Sequence, residues 1–207
     1  MPDLVYARAG LRFMFARAGT VDERASVIIK KMRGGVYPVN VIETERLNLR
    51  RLSIDDAGFI LELLNEPSFI KNIGDKGVRT IADAGQYVLN GPVASYQTNG
   101  FGLYLVELKE SGQAIGICGL VKRDSLADVD IGFAFLPNFW SRGYALESAL
   151  AVKAYGLDVL KLKRIVAITN PYNEGSIRVL QKIGLKYERM VRLSEDGPAV
   201  KLYVSDL

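Results

Sequence analysis

The chain of 207 residues has the length of one domain with some additional sequence, and its hydrophobic fraction of 49% is sufficient for a packed core. It contains no histidine, which excludes Ser-His-Asp and Cys-His catalytic groups and zinc sites that use histidine. Its single cysteine, Cys118, excludes an intrachain disulfide and fits a reducing compartment such as the cytoplasm. Because Cys118 lies in an apolar run, we expect a small buried side chain there.

The positive charge is concentrated at the start of the chain. Residues 1–35 carry seven basic and three acidic residues, which accounts for the whole net charge of +4, and the remainder holds 20 of each sign. We predict a basic, poorly ordered extension over residues 1–38 and a folded domain over residues 39–207. The extension is also compatible with an organelle-targeting segment. The neutral domain argues against a nucleic-acid partner, and no apolar stretch approaches the roughly 18 residues that a membrane-spanning helix requires.

Hydrophobic periodicity and turn residues predict eleven elements after residue 39. In order, they are a strand over 47–52, a helix from a cap at Ser53 or Asp55 to a break at Pro67, a helix over 80–97 that Gly91 and Pro92 kink or divide, strands over 101–108, 114–121 and 129–135, a helix over 144–157, a strand over 164–169, a helix over 173–183, and strands over 186–193 and 200–204. This order predicts an α+β fold, in which helices flank a mixed, mainly antiparallel central sheet with one βαβ crossover.

The turn between the strand over 129–135 and the following helix has the features of an anion site. The first backbone N–H groups of a helix have no partner inside it, and the helix dipole adds positive potential. A glycine in the turn lets a ligand approach the backbone without meeting a Cβ atom. We therefore predict that a pyrophosphate can be held by the amides of Ser141, Arg142, Gly143, Tyr144 and Ala145, with the Arg142 side chain as a charge partner. A single glycine is equally compatible with an ordinary turn between a strand and a helix.

Two segments, residues 131–145 and 170–185, together with the order of elements, resemble the GNAT superfamily of acyl-CoA-dependent N-acetyltransferases. The opening segment over 44–50 and Trp140 resemble its ribosomal-protein N-acetyltransferase-like branch. The resemblance covers about residues 41–207. It implies the GNAT acyl-CoA N-acyltransferase fold and acetyl-CoA as the acyl donor, with no metal.

The resemblance also implies how acetyl-CoA is bound. The pyrophosphate would lie on the turn described above, and the pantetheine arm would run along the preceding strand as an added strand, bonded to the backbone of Phe133 and Phe135. Trp140 occupies a position that is often polar in the family, and we expect it to pack rather than make a polar contact. Asn173 would contact the amides of CoA, although a helix N-cap is an equally good account of it.

For catalysis, the resemblance implies that Ser176 hydrogen-bonds or protonates the departing CoA thiolate. Many members use a tyrosine for this task at the position of Leu180, which makes Ser176 the better candidate here. Asp130 occupies a position where the branch often has a glutamate near the substrate amine, and a partly buried carboxylate with a raised pKa could act as the base. The alternative is a solvated aspartate on the face of a strand. Glu62, Glu107 and Glu147 are reserve candidates.

These observations predict an enzyme that transfers an acetyl group from acetyl-CoA to a primary amine by direct attack in a ternary complex. The acceptor is a protein or peptide N-terminus or a small amine, and Cys118 is poorly placed for an acyl-enzyme. The alternative is a non-catalytic acyl-CoA-binding module on the same fold. We expect a cytoplasmic monomer or homodimer with no membrane partner.

Overall fold

An eight-stranded sheet is the centre of the computed structural model, which describes residues 40–205. Its strands are β1 (Ile42–Glu43), β2 (Leu47–Arg51), β3 (Leu103–Leu108), β4 (Ala114–Val121), β5 (Val129–Phe135), β6 (Ile165–Thr169), β7 (Lys186–Arg192) and β8 (Ala199–Val204). They lie in the order β1-β2-β3-β4-β5-β6-β8-β7, and among these strands only β5 and β6 pair in parallel. The predicted mixed, mainly antiparallel sheet is confirmed, with β1 as an addition. The predicted extension over 1–38 and the start of the domain at residue 39 lie outside the described residues.

Helices flank this sheet on both faces. They are α1 (Ala57–Asn65), α2 (Pro67–Ile73), α3 (Ile81–Val88), α4 (Ala94–Asn99), α5 (Tyr144–Ala154) and α6 (Glu174–Lys182). The break predicted at Pro67 is present, but a further helix, α2, begins at that residue. The helix predicted over 80–97 is divided, because Pro92 has no N–H to donate and lies in a π-helical turn, Leu89–Val93, between α3 and α4.

Local capping fixes where α3 and α6 begin and where α6 ends. The Thr80 hydroxyl accepts a hydrogen bond from the Asp83 amide at 3.1 Å, and the Asp83 carboxylate accepts one from the Thr80 amide at 2.9 Å. Asn173 Oδ1 accepts the amide of Ser176 at 3.1 Å and so caps α6. Gly184, with φ of +81°, closes α6 in the left-handed conformation. The predicted N-cap at Asn173 is confirmed, and Thr80 and Gly184 lie at the predicted start of the second helix and directly after the predicted end at residue 183.

The two faces of the sheet carry separate hydrophobic cores. Helices α1, α2 and α3 pack on one face, and α5 and α6 pack on the other. Side chains alternate along β5, so Ile131 and Phe135 join the core under α5 and α6, whereas Ala134 joins the core under α1–α3. Asp130 and Gly132 share the face of Ala134. We refer to it as the α1–α3 face.

Strands β5 and β6 separate after a short parallel contact. Their pairing is confined to Val129 with Ile165 and to Asp130 with Val166. Beyond this point β5 remains paired with β4 as far as Phe135, and β6 pairs with β8. The remainder of β5 therefore has an open edge along a gap between the two parallel strands.

Hydrogen bonding to β4 shows which backbone groups point into this gap. The amide of Leu136 donates to the carbonyl oxygen of Ile115 on the β4 side at 3.0 Å. In an antiparallel pair, every second residue bonds to the same neighbour, so Ala134 also directs its backbone groups toward β4. The backbone groups of Phe133 and Phe135 consequently point toward the gap.

Close contact between β4 and the segment before β3 requires a glycine at position 119. A Cβ atom added to Gly119 would lie 2.1 Å from the carbonyl oxygen of Gly102 and 2.7 Å from Cα of Leu103, and backbone atoms in a sheet cannot move aside cheaply.

We therefore expect Gly119→Ala to lower the free energy of unfolding by at least about 2 kcal/mol in urea denaturation. Gly58→Ala is the matched control, because Gly58 lies on the exposed side of α1 with no atom within 4 Å of an added Cβ. This control should be neutral or stabilising by up to about 1 kcal/mol. Equal effects of the two substitutions would contradict the close approach.

Candidate active site

The turn before α5 has the geometry of an anion site. Gly143 is the N-cap of α5 and has φ of +83°, a conformation that favours glycine, and Ser141 also has a positive φ of 60°. The helix begins at Tyr144, so the amides of Tyr144 and Ala145 belong to its unpaired first turn. The guanidinium of Arg142 lies 5.8 Å from the ring of Phe139 and is exposed. The five residues predicted to bind pyrophosphate therefore form this turn and the first two positions of α5.

Arg46 supplies a second positive charge at this helix end. Its Nη1 donates to the carbonyl oxygen of Arg142 at 3.0 Å, and its guanidinium lies 4.6 Å from the centre of the Tyr144 ring. A Cβ atom at Gly143 would lie only 3.2 Å from Arg46 Nη2, so the guanidinium covers the glycine directly. No role was predicted for Arg46, although it lies in the segment over 44–50 that carries part of the family resemblance.

Glu147 holds Arg46 in place and is therefore unsuited to act as the base. Its carboxylate accepts hydrogen bonds from Arg46 Nε at 2.7 Å, from the Arg46 amide at 2.9 Å and from the Thr44 hydroxyl at 2.6 Å. Burial raises the pKa of Glu147, but these hydrogen bonds outweigh burial and lower it. A carboxylate with its lone pairs engaged and a low pKa is a poor proton acceptor at neutral pH.

The open edge of β5 is partly capped by Trp140. The indole Nε1 donates to the carbonyl oxygen of Phe135 at 2.7 Å, while half of the Trp140 surface is exposed (50%). The expectation that Trp140 only packs is wrong, because its ring lies at the surface and its N–H finds a backbone acceptor. The amide of Phe135 and both backbone groups of Phe133 remain directed toward the gap.

The N-termini of α5 and α6 lie at the same edge of the sheet. Each helix follows one of the two parallel strands, and the carboxyl ends of parallel strands meet at one edge. Asn173 caps α6 through Oδ1, which leaves its Nδ2 available to a ligand, and Ser176 in the first turn is half-buried. Leu180 is fully buried in the core, so its position in this chain points away from solvent and from any cleft.

Asp130 lies where β5 and β6 separate and is almost completely buried, with 1% of its surface exposed. Its Oδ2 accepts a hydrogen bond from Arg123 Nε at 2.7 Å, whereas its buried Oδ1 has no hydrogen-bond partner within residues 40–205. The alternative of a solvated aspartate is therefore wrong. The sequence places Asp130 on a strand face, but its near-complete burial depends on the neighbouring strand and loop, which the periodic pattern does not show.

Burial determines the protonation of this carboxyl group. It raises the pKa of Asp130 to about 6, even though the charge and hydrogen bond of Arg123 act in the opposite direction. The amide of Ile168 lowers it slightly without forming a hydrogen bond to Oδ1. Asp130 is thus largely ionised at neutral pH, but it binds a proton more readily than an exposed aspartate does.

A narrow open space adjoins Asp130 on the α1–α3 face. Gly132 and Ala134 are half-buried there, and only Leu103 Cδ2, at 3.8 Å, would contact a Cβ atom added to Gly132. The charge of Arg123 also acts on Tyr87 of α3, where burial raises the pKa of the phenol and the Arg123 charge opposes this. Small residues therefore leave room beside the carboxylate, a feature that sequence periodicity did not indicate.

Structural roles explain three further side chains, those of Cys118, Tyr104 and Glu107. Cys118 is fully buried, as predicted for a small core residue, and burial raises the pKa of its thiol to about 12. Tyr104 is buried and stacks on Tyr96 with ring centres 5.7 Å apart. Glu107 accepts a hydrogen bond from Arg50 Nε at 2.9 Å.

A separate cleft of about 430 Å³ lies beside β6 and β8. Its lining includes Asp128, Arg164, Val166, Glu188 and Leu202, none of which is a predicted site residue. Val166 pairs with Asp130 across the parallel contact, so the floor of the cleft continues the α1–α3 face.

Neither a membrane-spanning helix nor a cluster of metal ligands is present in residues 40–205. No helix there combines the length and hydrophobicity needed to cross a membrane. In the same part of the chain, no group of three or more His, Cys, Asp or Glu side chains is arranged to hold a metal ion.

Burial of Asp130 has a consequence for stability. A carboxyl group whose pKa rises from 3.8 to about 6 on folding binds a proton more tightly in the folded state. Its unfavourable contribution is therefore complete above pH 6, at about 3 kcal/mol, and disappears as the pH falls toward 4.

We expect Asp130→Asn to raise the melting temperature at pH 8 by at least about 3 °C, because Arg123 is partly exposed and stays hydrated when its partner is lost. The difference should vanish near pH 4. Asp124→Asn, in an exposed loop, is the control and should have no effect at either pH. Destabilisation of Asp130→Asn at both pH values would instead identify the ion pair with Arg123 as a net stabilising contact.

Comparison with known proteins agrees with this geometry. Residues 46–186 match the acetyltransferase (GNAT) domain family. The N-acetyltransferase YnaD of Bacillus subtilis is 31% identical over 147 residues, which cover 71% of this chain and 83% of YnaD. A GNAT-family acetyltransferase of Bacillus anthracis superposes with a TM-score of 0.66 at 27% identity, covering 78% of this chain and 95% of that one.

A more distant structure shares the fold. The ribosomal-protein α-N-acetyltransferase RimL, solved in complex with coenzyme A, superposes with a TM-score of 0.68 at 17% identity, covering 81% of this chain and 95% of RimL. The α+β fold predicted from the order of elements is thus that of GNAT acetyltransferases. The chain belongs to the GNAT family and is an acyl-CoA-dependent N-acetyltransferase, which transfers an acetyl group from acetyl-CoA to an amine.

Proposed function

We propose that acetyl-CoA binds in the gap between β5 and β6, that a primary amine approaches from the α1–α3 face, and that Asp130 accepts the proton of this amine. The observation that carries the proposal is the buried Oδ1 of Asp130, which has no hydrogen-bond partner among residues 40–205 and lies where the two strands separate. A buried acceptor without a partner is costly, and such groups are found where a ligand completes the hydrogen bonding.

The proposed donor site extends from this point to the ends of α5 and α6. The pyrophosphate lies on the amides of residues 141–145, with Arg142 and Arg46 supplying positive charge. The pantetheine arm follows the open edge of β5 and bonds to the backbone of Phe133 and to the amide of Phe135, since Trp140 already occupies the Phe135 carbonyl.

The thiol end of CoA then lies between Asp130 and the first turn of α6. Asn173 offers Nδ2 to the amides of the pantetheine arm, because its Oδ1 is used to cap the helix. Ser176, one turn into the same helix end, is placed to hydrogen-bond the sulfur.

In the proposed reaction, the neutral amine attacks the thioester carbonyl carbon and forms the new C–N bond. A backbone N–H that points into the gap and is not used by the pantetheine arm stabilises the oxyanion. Collapse of the tetrahedral intermediate breaks the C–S bond. One proton passes from the amine to Asp130, directly or through water, and the thiolate is stabilised or protonated by the Ser176 hydroxyl.

Direct transfer is favoured over an acyl-enzyme. Cys118, the one thiol in the sequence, is fully buried and has a raised pKa, so it cannot serve as a nucleophile. The alternative of a non-catalytic acyl-CoA-binding module gives no reason for a buried carboxylate beside the gap whose Oδ1 has no partner among residues 40–205. The acceptor is a protein or peptide N-terminus or a small amine.

Kinetics of Asp130→Asn test the proposed base. CoA release is measured with a panel of primary amines and peptides. The kcat/KM of the variant should be at least about 100-fold lower than that of the wild type, because general base catalysis is lost. The Kd for CoA should change little, since the donor site uses other residues. The ratio of wild-type to variant kcat/KM should fall as the pH drops below about 6, where Asp130 binds a proton.

Ionisation of the amine changes kcat/KM of both proteins by the same factor, so its effect cancels in this ratio. Asp124→Asn serves again as the matched control and should retain full activity. A ratio near one that does not change with pH would rule out Asp130 as the base. Tight CoA binding without turnover of any acceptor by the wild-type protein would contradict the proposed reaction.

A further inference from the structure

We propose that Arg123 and Lys76 form a carboxylate-binding subsite beside Asp130, so that the natural acceptor is an amine that also carries a carboxylate a few bonds away. This inference rests on the proposed function, because it takes the open space over Gly132 as the acceptor site.

Arg123 is only partly used by its ion pair with Asp130. The Nε atom donates to Asp130 Oδ2 at 2.7 Å, and 37% of the Arg123 side chain is exposed. Within residues 40–205, its Nη1 and Nη2 atoms have no hydrogen-bond partner. A guanidinium with two free N–H groups on one side matches the two oxygens of a carboxylate.

Lys76 is a second cation close to Arg123. It lies in the loop between α2 and α3 and is exposed as a residue, but its ammonium is partly shielded, and this shielding and the Arg123 charge both lower its pKa. The neighbouring acid, Asp75, pairs with Arg79 instead, with Nη1 to Oδ1 at 3.0 Å. No carboxylate between residues 40 and 205 forms an ion pair with Lys76, so its charge and the unused end of the Arg123 guanidinium are both available to an anion.

The loop that carries Lys76 is held in a defined position. Asp75 Oδ1 accepts the amide of Gly77 at 2.8 Å, and Asn65 Nδ2 donates to the carbonyl oxygen of Val78 at 3.0 Å. The capping box at the start of α3 fixes the end of the loop. Lys76 therefore lies in a loop whose conformation is fixed by hydrogen bonds, so less conformational entropy is lost when Lys76 binds a ligand.

The unsatisfied groups around the open space are complementary to a zwitterion. Asp130 Oδ1 needs a donor, which the amine supplies, and the Arg123 and Lys76 cations need an anion. The half-buried Gly132 lies on the same face and leaves room for a short spacer between the two charged groups. Two sources share this chemistry, namely a free amino acid with its own carboxylate and a peptide whose first residue is acidic.

Paired acceptors test the subsite. CoA release is measured with 4-aminobutyrate and its neutral amide, and with peptides that begin with aspartate or with asparagine and end in an amide. Wild-type kcat/KM should be at least about tenfold higher for the carboxylate member of one pair, since a charge-assisted contact is gained. The pair that shows the preference identifies the source of the carboxylate.

The variants Lys76→Gln and Lys182→Gln remove the same charge from opposite faces of the sheet. The ratio of kcat/KM for the carboxylate acceptor to that for its neutral partner should fall about tenfold in Lys76→Gln. It should stay unchanged in Lys182→Gln, because Lys182 lies at the end of α6 on the other face. Circular dichroism checks that both variants are folded.

Failure of the carboxylate-binding subsite can be distinguished from failure of the proposed function. Turnover of both members of each pair at similar rates, or a ratio that Lys76→Gln leaves unchanged, overturns the subsite while the proposed function stands. If no amine in either series releases CoA from the wild-type protein, the proposed function fails, and the subsite fails with it.

Discussion

The separation of β5 from β6 is the constraint on which the rest of the structure depends. Two parallel strands that share only two paired positions leave the backbone of one of them without a partner along a gap. Backbone groups away from water must find hydrogen bonds, so such an edge is costly unless a ligand or a side chain satisfies it. Trp140 satisfies one carbonyl, and the proposed pantetheine arm satisfies the others.

The same separation explains why the two faces of the sheet have different roles. The helices that follow β5 and β6 direct their N-termini to one edge, where positive potential and Arg46 favour phosphates. On the α1–α3 face, Asp130 lies at the point of separation with Gly132 beside it. In the proposed account, donor and acceptor meet through the gap, and the base contributes activity at a cost in stability.

Local features of the sequence were sufficient to predict most of the fold. The alternation along β5, the capping residues at Thr80 and Asn173, and Gly184 all act within a few residues, so their spacing reveals them. The division near Pro92 was also expected, from Gly91 and Pro92 together. The helix α2 was not, because its start at Pro67 resembled a simple break.

The parts of the site that escaped prediction depend on contacts between distant segments. Arg46 and Glu147 are 101 residues apart, and only folding brings them together under Gly143. The burial of Asp130 depends on the adjacent strand and on Arg123, which no periodic pattern connects to it. The hydrogen bond of Trp140 could not be predicted because its partner is a backbone carbonyl, whose availability depends on the open edge.

A crystal structure of the protein with bound CoA is the decisive test of the proposed donor site. The pantetheine arm should lie between β5 and β6 with hydrogen bonds to the backbone of Phe133. The pyrophosphate should lie within hydrogen-bond distance of the amides of residues 141–145. CoA bound outside this gap, for example in the cleft beside Asp128 and Leu202, would contradict the proposed site.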